Sequence, residues 1–318
     1  MSEPPPGPAE LHDWIWNGQP VRWLRSCDPI QGRRVVLIHG FGASLGHWRF
    51  TVPALAPVAE VIALDLLGFG ASGKPRSYLA GEAPSPGAVR YCFDLWAQQV
   101  VDLLDAQAPA AGLPSPDLHL VGNSIGGMVA LTAARLLQRR GTPATQVILI
   151  DCAQRTLDDK RADQLSSLQR LNRPLLKRLV RQRWLVGTLF RALARPGFVR
   201  QVLRQAYPSG AHIDDELVAL LLAPTRDPGA PESFRGFINL FNDHLAPDLL
   251  AELRGPVQLL WGARDPWEDP QEARAWAERF ACIRELVVLE GLGHCPHDEG
   301  PDQVNPVLSR WITADPPQ

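Results

Sequence analysis

The sequence predicts an α/β architecture, a mostly parallel central sheet flanked by helices and interrupted once by a helical insertion. Three observations predict it. Six short β-branched apolar runs recur along the chain, helix-length segments lie between most of them, and residues 155–250 contain no such run.

Taken in order, residues 1–10 are a proline-rich tail expected to be disordered. Residues 14–16 and 20–24, separated by Asn17-Gly18, read as strand, turn and strand. The runs at 35–38, 61–64, 118–121, 147–150, 257–261 and 286–289 suit strands buried on both faces. Residues 93–106, 128–140 and 271–280 read as helices. The stretch 155–250 is leucine- and arginine-rich helical text, broken by Pro174, Pro196, Pro208, Pro224 and Pro228. The simplest division is a core of 11–154 and 251–318 carrying 155–250 as a lid (cap) over the carboxyl ends of the strands, where open α/β sheets bind ligands. Residues 313–318 are a second frayed end.

The chain has 318 residues, 45% hydrophobic and 21% charged, which is material for a large core in one α/β domain. A formal net charge of −2 gives no whole-molecule attraction for nucleic acid. Cys27, Cys92, Cys152, Cys282 and Cys295 include no CxxC pair, so a disulfide framework is not expected. The acidic, proline-rich start is unlike a signal peptide, and no run approaches the roughly 18 apolar residues of a spanning helix. The expected location is cytoplasmic, with peripheral membrane contact open.

Residues 118–127, LHLVGNSIGG, carry a strand into G-x-S-x-G and then a helix. A serine on so tight a turn needs small neighbours, and the helix N-terminus behind it favours developing negative charge. Ser124 is the candidate nucleophile. A hydroxyl needs a base, and the base needs an orienting acid. Asp265 follows the 257–261 run and His294 lies between glycines after the last run, both at strand carboxyl ends. Asp151 also ends a strand and competes for the acid role, but the loop of Asp265 is richer in turn residues. His297 reads as a loop histidine bonded to Asp298 or a carbonyl, and no ligand cluster has metal-like spacing. No cofactor is expected. Phe41, in His39-Gly40-Phe41-Gly42, and Ile125 are the candidate backbone donors to an oxyanion.

With those residues in place, the chain resembles the α/β-hydrolase superfamily from about Trp14 to Trp311. HGFG at 39–42, DLLGFGASGKP at 65–75, GNSIGG at 122–127, WGARDPW at 261–267 and GHCPHDE at 293–299 carry the resemblance. It implies the α/β-hydrolase fold, Ser124 as nucleophile, Asp265 as acid, His294 as base, and Phe41 and Ile125 as oxyanion donors. GNSIGG and GHCPHDE look like the plant and cyanobacterial hydrolases related to pheophytinase, which cleave a phytyl ester. Haloalkane dehalogenases and epoxide hydrolases share much of the other text, but use aspartate where this chain has Ser124.

The expected chemistry is therefore serine ester hydrolysis on a hydrophobic small-molecule substrate. Thioester, C–C or amide cleavage by the same triad remains open, as does a non-catalytic binding role. Trp48, Trp184 and Trp267 are candidate substrate contacts. Trp184, Phe190, Phe198, Phe234, Phe237 and Phe241 suit an apolar tunnel and equally a plain lid core. Residues 155–204 hold eleven arginines and two lysines against three aspartates, beside leucines at helical spacing. The ordinary expectation has the leucines on the body and the charges in water. The alternative is a basic amphipathic lid resting on an anionic membrane.

Overall fold

The computed structural model describes residues 9–26, 32–108 and 115–314. The strands are β1 (Ala9–Trp16), β2 (Gln19–Ser26), β3 (Arg33–Ile38), β4 (Glu60–Leu64), β5 (Asp117–Asn123), β6 (Gln146–Ile150), β7 (Val257–Gly262) and β8 (Ile283–Leu289). The helices before β6 are α1 (Thr51–Leu55), α2 (Phe93–Ala106) and α3 (Ile125–Arg140). Between β6 and β7 come α4 (Ser167–Val180), α5 (Arg183–Leu193), α6 (Pro196–Ala206), α7 (Asp215–Leu222), α8 (Ala230–Ile238) and α9 (Ala246–Glu252). The chain closes with α10 (Pro270–Arg279), α11 (Pro296–Glu299) and α12 (Pro301–Thr313).

The described strands form one sheet in the order β1-β2-β4-β3-β5-β6-β7-β8. β1 and β2 form an antiparallel hairpin across Asn17-Gly18, β2 runs antiparallel to β4, and all later pairings are parallel. Every residue of β4 and β6 is buried, as expected of strands covered on both faces. One apolar cluster joins the sheet to α2, α3 and α9, with Phe93, Trp96, Val129, Leu249 and Trp261 among its members. A second packs Trp48, Leu55, Leu308 and Ile312 on the opposite face. Within the stretch read as insertion, α9 thus packs on the body.

Two local expectations are corrected. Ala9 and Glu10, read as tail, belong to β1, because they pair with Ser26 and Arg25. Residues 1–8 and 315–318, and Cys27, lie outside the described residues. Pro174 does not break its helix but sits inside α4. A proline there removes one amide donor, and α4 retains a complete capping box at Ser166 and Gln169. No described helix is long and apolar enough to cross a membrane.

Candidate active site

Ser124 lies between β5 and α3 with φ 56° and ψ −121°, a left-handed conformation that costs a non-glycine residue energy. The turn is held from both sides. Ser124 N–H donates to Ile150 O at 2.9 Å, and Ser124 O accepts from Gly127 N at 3.0 Å and Ala153 N at 3.1 Å. The glycines are required by close approach. A Cβ on Gly122 would lie 2.1 Å from Gly126 O, and one on Gly126 would lie 2.2 Å from Ile38 O. G-x-S-x-G is thus the sequence that lets α3 start directly against the ends of β3 and β5.

The loop after β3 comes to the same point. A Cβ on Gly40, the residue before Phe41, would sit 3.2 Å from Ser124 Cβ. His39 is wholly buried and bridges this loop to the next, with Nε2 accepting from Leu66 N at 3.0 Å and Nδ1 lying 2.7 Å from Gly40 O. Those two bonds require the neutral ring with its proton on Nδ1. Burial pushes its pKa down to about 4.

Asp265 follows β7. Its Oδ1 accepts from Trp267 N at 2.9 Å and Glu268 N at 3.2 Å, leaving Oδ2 for His294 Nδ1 at 2.8 Å. Burial alone would raise this carboxyl, but the hydrogen bond and charge of His294 outweigh it and hold the pKa below the usual range. The backbone of His294 is pinned too: its N–H donates to Ala206 O at 2.9 Å, and its carbonyl accepts from Asn123 Nδ2 at 3.0 Å. No hydrogen bond joins Ser124 Oγ to the His294 ring. Asn123, directly before the serine, supplies the tie between the two loops.

Of the two competing acids, Asp265 reaches the histidine. Asp151 is fully buried at the end of β6 with φ 43°, and its Oδ1 accepts from Gly262 N at 2.9 Å. Burial, and then the charge of Asp265, raise its pKa well above the carboxylate range. That shift favours the neutral form of Asp151, whose Oδ2 is buried without a hydrogen-bond partner.

The tryptophans scatter. Trp267 stands edge-on to His294, ring centroids 4.8 Å apart. Trp48 is wholly buried against His297 at 4.3 Å, and Trp184 is 71% exposed on α5. Among the other aromatics, Phe237 stacks on Phe41 at 3.8 Å, while Phe234 lies between Phe41 at 6.0 Å and Phe190 at 5.3 Å. Beside them is a small cavity of about 50 Å³ lined by Phe41, Phe69, Phe190 and Phe234. Phe241 instead lies under Arg173 and Lys177, and Phe198 is partly exposed.

The expectation for His297 is corrected. It is buried with neither ring nitrogen hydrogen-bonded, and its ring packs on Trp48 and on His47 at 4.7 Å. Asp298 is taken up elsewhere: it accepts from Arg49 Nε at 2.8 Å and from the Tyr207 hydroxyl at 3.0 Å, and that hydroxyl also meets His47 Nε2 at 2.7 Å. Glu299 accepts from Gly293 N at 2.6 Å and Ser209 N at 2.8 Å. The segment after α6 is thereby joined to the histidine loop. The sequence signal was the pair of acids in GHCPHDE, too many for a plain turn.

A model of the alpha/beta hydrolase family matches residues 35–307. The chain is 28% identical to the dihydrolipoyllysine-residue acetyltransferase component of an acetoin cleaving system from Pseudomonas putida, over 97% of this chain and 70% of that protein. It is 25% identical to the chloroplastic pheophytinase of Arabidopsis thaliana, over 90% of this chain and 62% of the plant protein. Over a third of the chain (34%) and 33% of that protein, it is 36% identical to a 2-hydroxymuconate semialdehyde hydrolase from a Pseudomonas strain. Among solved structures, the epoxide hydrolase CorEH superposes with a TM-score of 0.74 at 20% identity, covering 96% of this chain and 98% of that one.

Proposed function

The chain belongs to the alpha/beta hydrolase family, and from that premise we propose that it is a serine hydrolase cleaving a carboxylic ester of a hydrophobic substrate. The observation that carries this reading is Ser124 on its strained elbow, tied through Asn123 to a His294 whose Nδ1 is held by Asp265.

In the proposed reaction, His294 Nε2 takes the Ser124 proton as Oγ attacks the ester carbonyl. The oxyanion is met by the Phe41 and Ile125 N–H groups. The imidazolium passes its proton to the departing alkoxide, leaving an acyl-serine. His294 then deprotonates water, which attacks the acyl carbon, and the proton returns to Ser124 Oγ as the acid leaves. Asp265 stays ionised throughout and stabilises the imidazolium.

We take α4 to α8 as the lid. The aromatic group Phe41, Phe190, Phe234 and Phe237 favours an apolar acyl or alcohol chain. A cavity of about 50 Å³ is too small for such a chain, so α5 and α8 must part to admit it. The likeness to pheophytinase makes a phytyl ester of a chlorophyll derivative the specific candidate. Four free cysteines among the described residues fit a reducing, cytoplasmic setting.

The test is hydrolysis of pheophytin a, short and long p-nitrophenyl esters, thioesters and a 2-hydroxymuconate semialdehyde by the wild type and Ser124→Ala. Serine-dependent phytol release supports the full reading. Cleavage confined to simple esters removes the tetrapyrrole, and preferred C–C cleavage replaces the ester. Activity retained in Ser124→Ala would falsify the mechanism.

A further inference from the structure

α4 faces the wrong way for a helix in water. Its leucines Leu168, Leu171, Leu175 and Leu179 recur at i, i+3, i+7 and i+11, one stripe of the helix. The ordinary expectation has that stripe on the body. Instead these residues are 67%, 77%, 60% and 43% exposed, and α4 has no buried residue. Two of its four charges turn inward, while Arg170 and Arg178 stay exposed: Arg173 and Lys177 reach Asp159 at 2.8 Å and 2.5 Å and lie over the Phe241 ring. Just beyond, Trp184 continues the apolar surface at 71% exposure.

The orientation is fixed by bonds on the body side, so the leucine face is a built surface. Its surroundings decide what covers it. From Gln164 to Ile213 there is no acidic residue and there are ten arginines and lysines. A second copy docked through this face would set like charges together, which is unfavourable. Within that stretch an anionic surface meets only cations. At the end of the stripe, Arg181 and Arg183 enter a cleft of about 480 Å³ with Arg76 and Arg235. Glu82 is 2.5 Å from Arg235 and 3.7 Å from Arg181, and Arg183 pairs with Glu232, while Arg76 pairs with no acid among the described residues.

We infer that the outer face of α4, with Trp184, docks on an anionic lipid bilayer. The leucines and Trp184 enter the interfacial region, and the Arg76–Arg181 cleft takes a lipid phosphate. The inference does not depend on the bond the enzyme cleaves, because binding is read without turnover.

The experiment is co-sedimentation of the full chain with phosphatidylcholine vesicles and with mixed phosphatidylcholine/phosphatidylglycerol vesicles, beside sedimentation velocity without lipid. The wild type is expected to partition at least about tenfold better onto the anionic vesicles, with the advantage shrinking at high salt. Leu171→Asp with Leu175→Asp should lose about tenfold or more of that binding with an unchanged thermal melt. Arg76→Ala with Arg181→Ala should reduce only the anionic preference. Absence of vesicle binding, or equal binding by the leucine variant, overturns the inference. So does a wild-type dimer that the leucine variant dissolves, since the occupant is then a second copy.

Discussion

α3 and α4 are similar in length, 16 and 14 residues, and dispose of their apolar residues in opposite ways. Twelve residues of α3 are buried, and none of α4. α3 is clamped between the sheet and α2, its first turn so close to Ile38 O that only glycine fits. α4 is held by charge, through Asp159 and Phe241, and offers its leucines to the outside. The first arrangement gives Ser124 one position. The second gives a surface that can meet something large and soft. A single chain thus separates a rigid turn at the strand ends from an apolar stripe turned outward on α4.

The sharpest break in this comparison comes at the α3 end. His294→Ala is expected to lower kcat/KM on any cleaved substrate by about 10³-fold or more with little change in melting, measured by steady-state kinetics beside circular dichroism. No substitution on α4 should approach that effect in free solution.

Gly126→Ala comes next. Its Cβ would meet backbone, which has no room to give, so about 3 kcal/mol of stability should go, as measured by urea unfolding.

His39 lies in the loop bordering α3. Its folded pKa of about 4 is below the ordinary 6.5, so below pH 6.5 the unfolded chain binds the extra proton. Its contribution is full above 6.5 and is lost as pH falls toward 4, by about 3 kcal/mol at most. Urea midpoints from pH 7.5 to 4 should fall more steeply for the wild type than for His39→Gln. Parallel slopes would remove His39 from the account.

Tyr207→Phe probes the join between the two regions. Losing the hydroxyl leaves His47 and Asp298 each short of a partner, a cost of about 1–2 kcal/mol in a thermal melt. Because Ala206 O holds His294 N, kcat should fall with it.

Leu171→Ala should be nearly silent in stability, within about 0.5 kcal/mol, since that residue is 77% exposed. A loss near that of Gly126→Ala would mean α4 is covered in the free protein.

Much of the body was legible in the sequence. The six apolar runs became β3 to β8, each extended by up to three residues, because pairing recruits neighbours that carry no apolar signal of their own. Ser124, Asp265 and His294 were legible because glycine turns at strand ends mark the edge where an α/β sheet gathers its loops. The choice between Asp265 and Asp151 rested on turn composition alone. What separates them in the structure is the Oδ2–Nδ1 contact with His294 for one and full burial for the other. Trp48 had the composition of a substrate contact, yet α1 and α12 enclose its surroundings. Asn123 had no signal beyond lying next to the serine, since its role depends on a carbonyl 171 residues away.

The sequence by itself determined which residues share a strand face or a helix stripe, because periodicity is a local property of the backbone. It determined the tight turns, because a missing Cβ is written in the residue. Only the tertiary structure decided toward what each stripe is turned. The leucine stripe of α4 was readable to the residue, and its outward direction was not. That direction is set by Asp159 and Phe241, one before the helix and one far behind it, which draw Arg173 and Lys177 to the body and leave the leucines no side but the outer one.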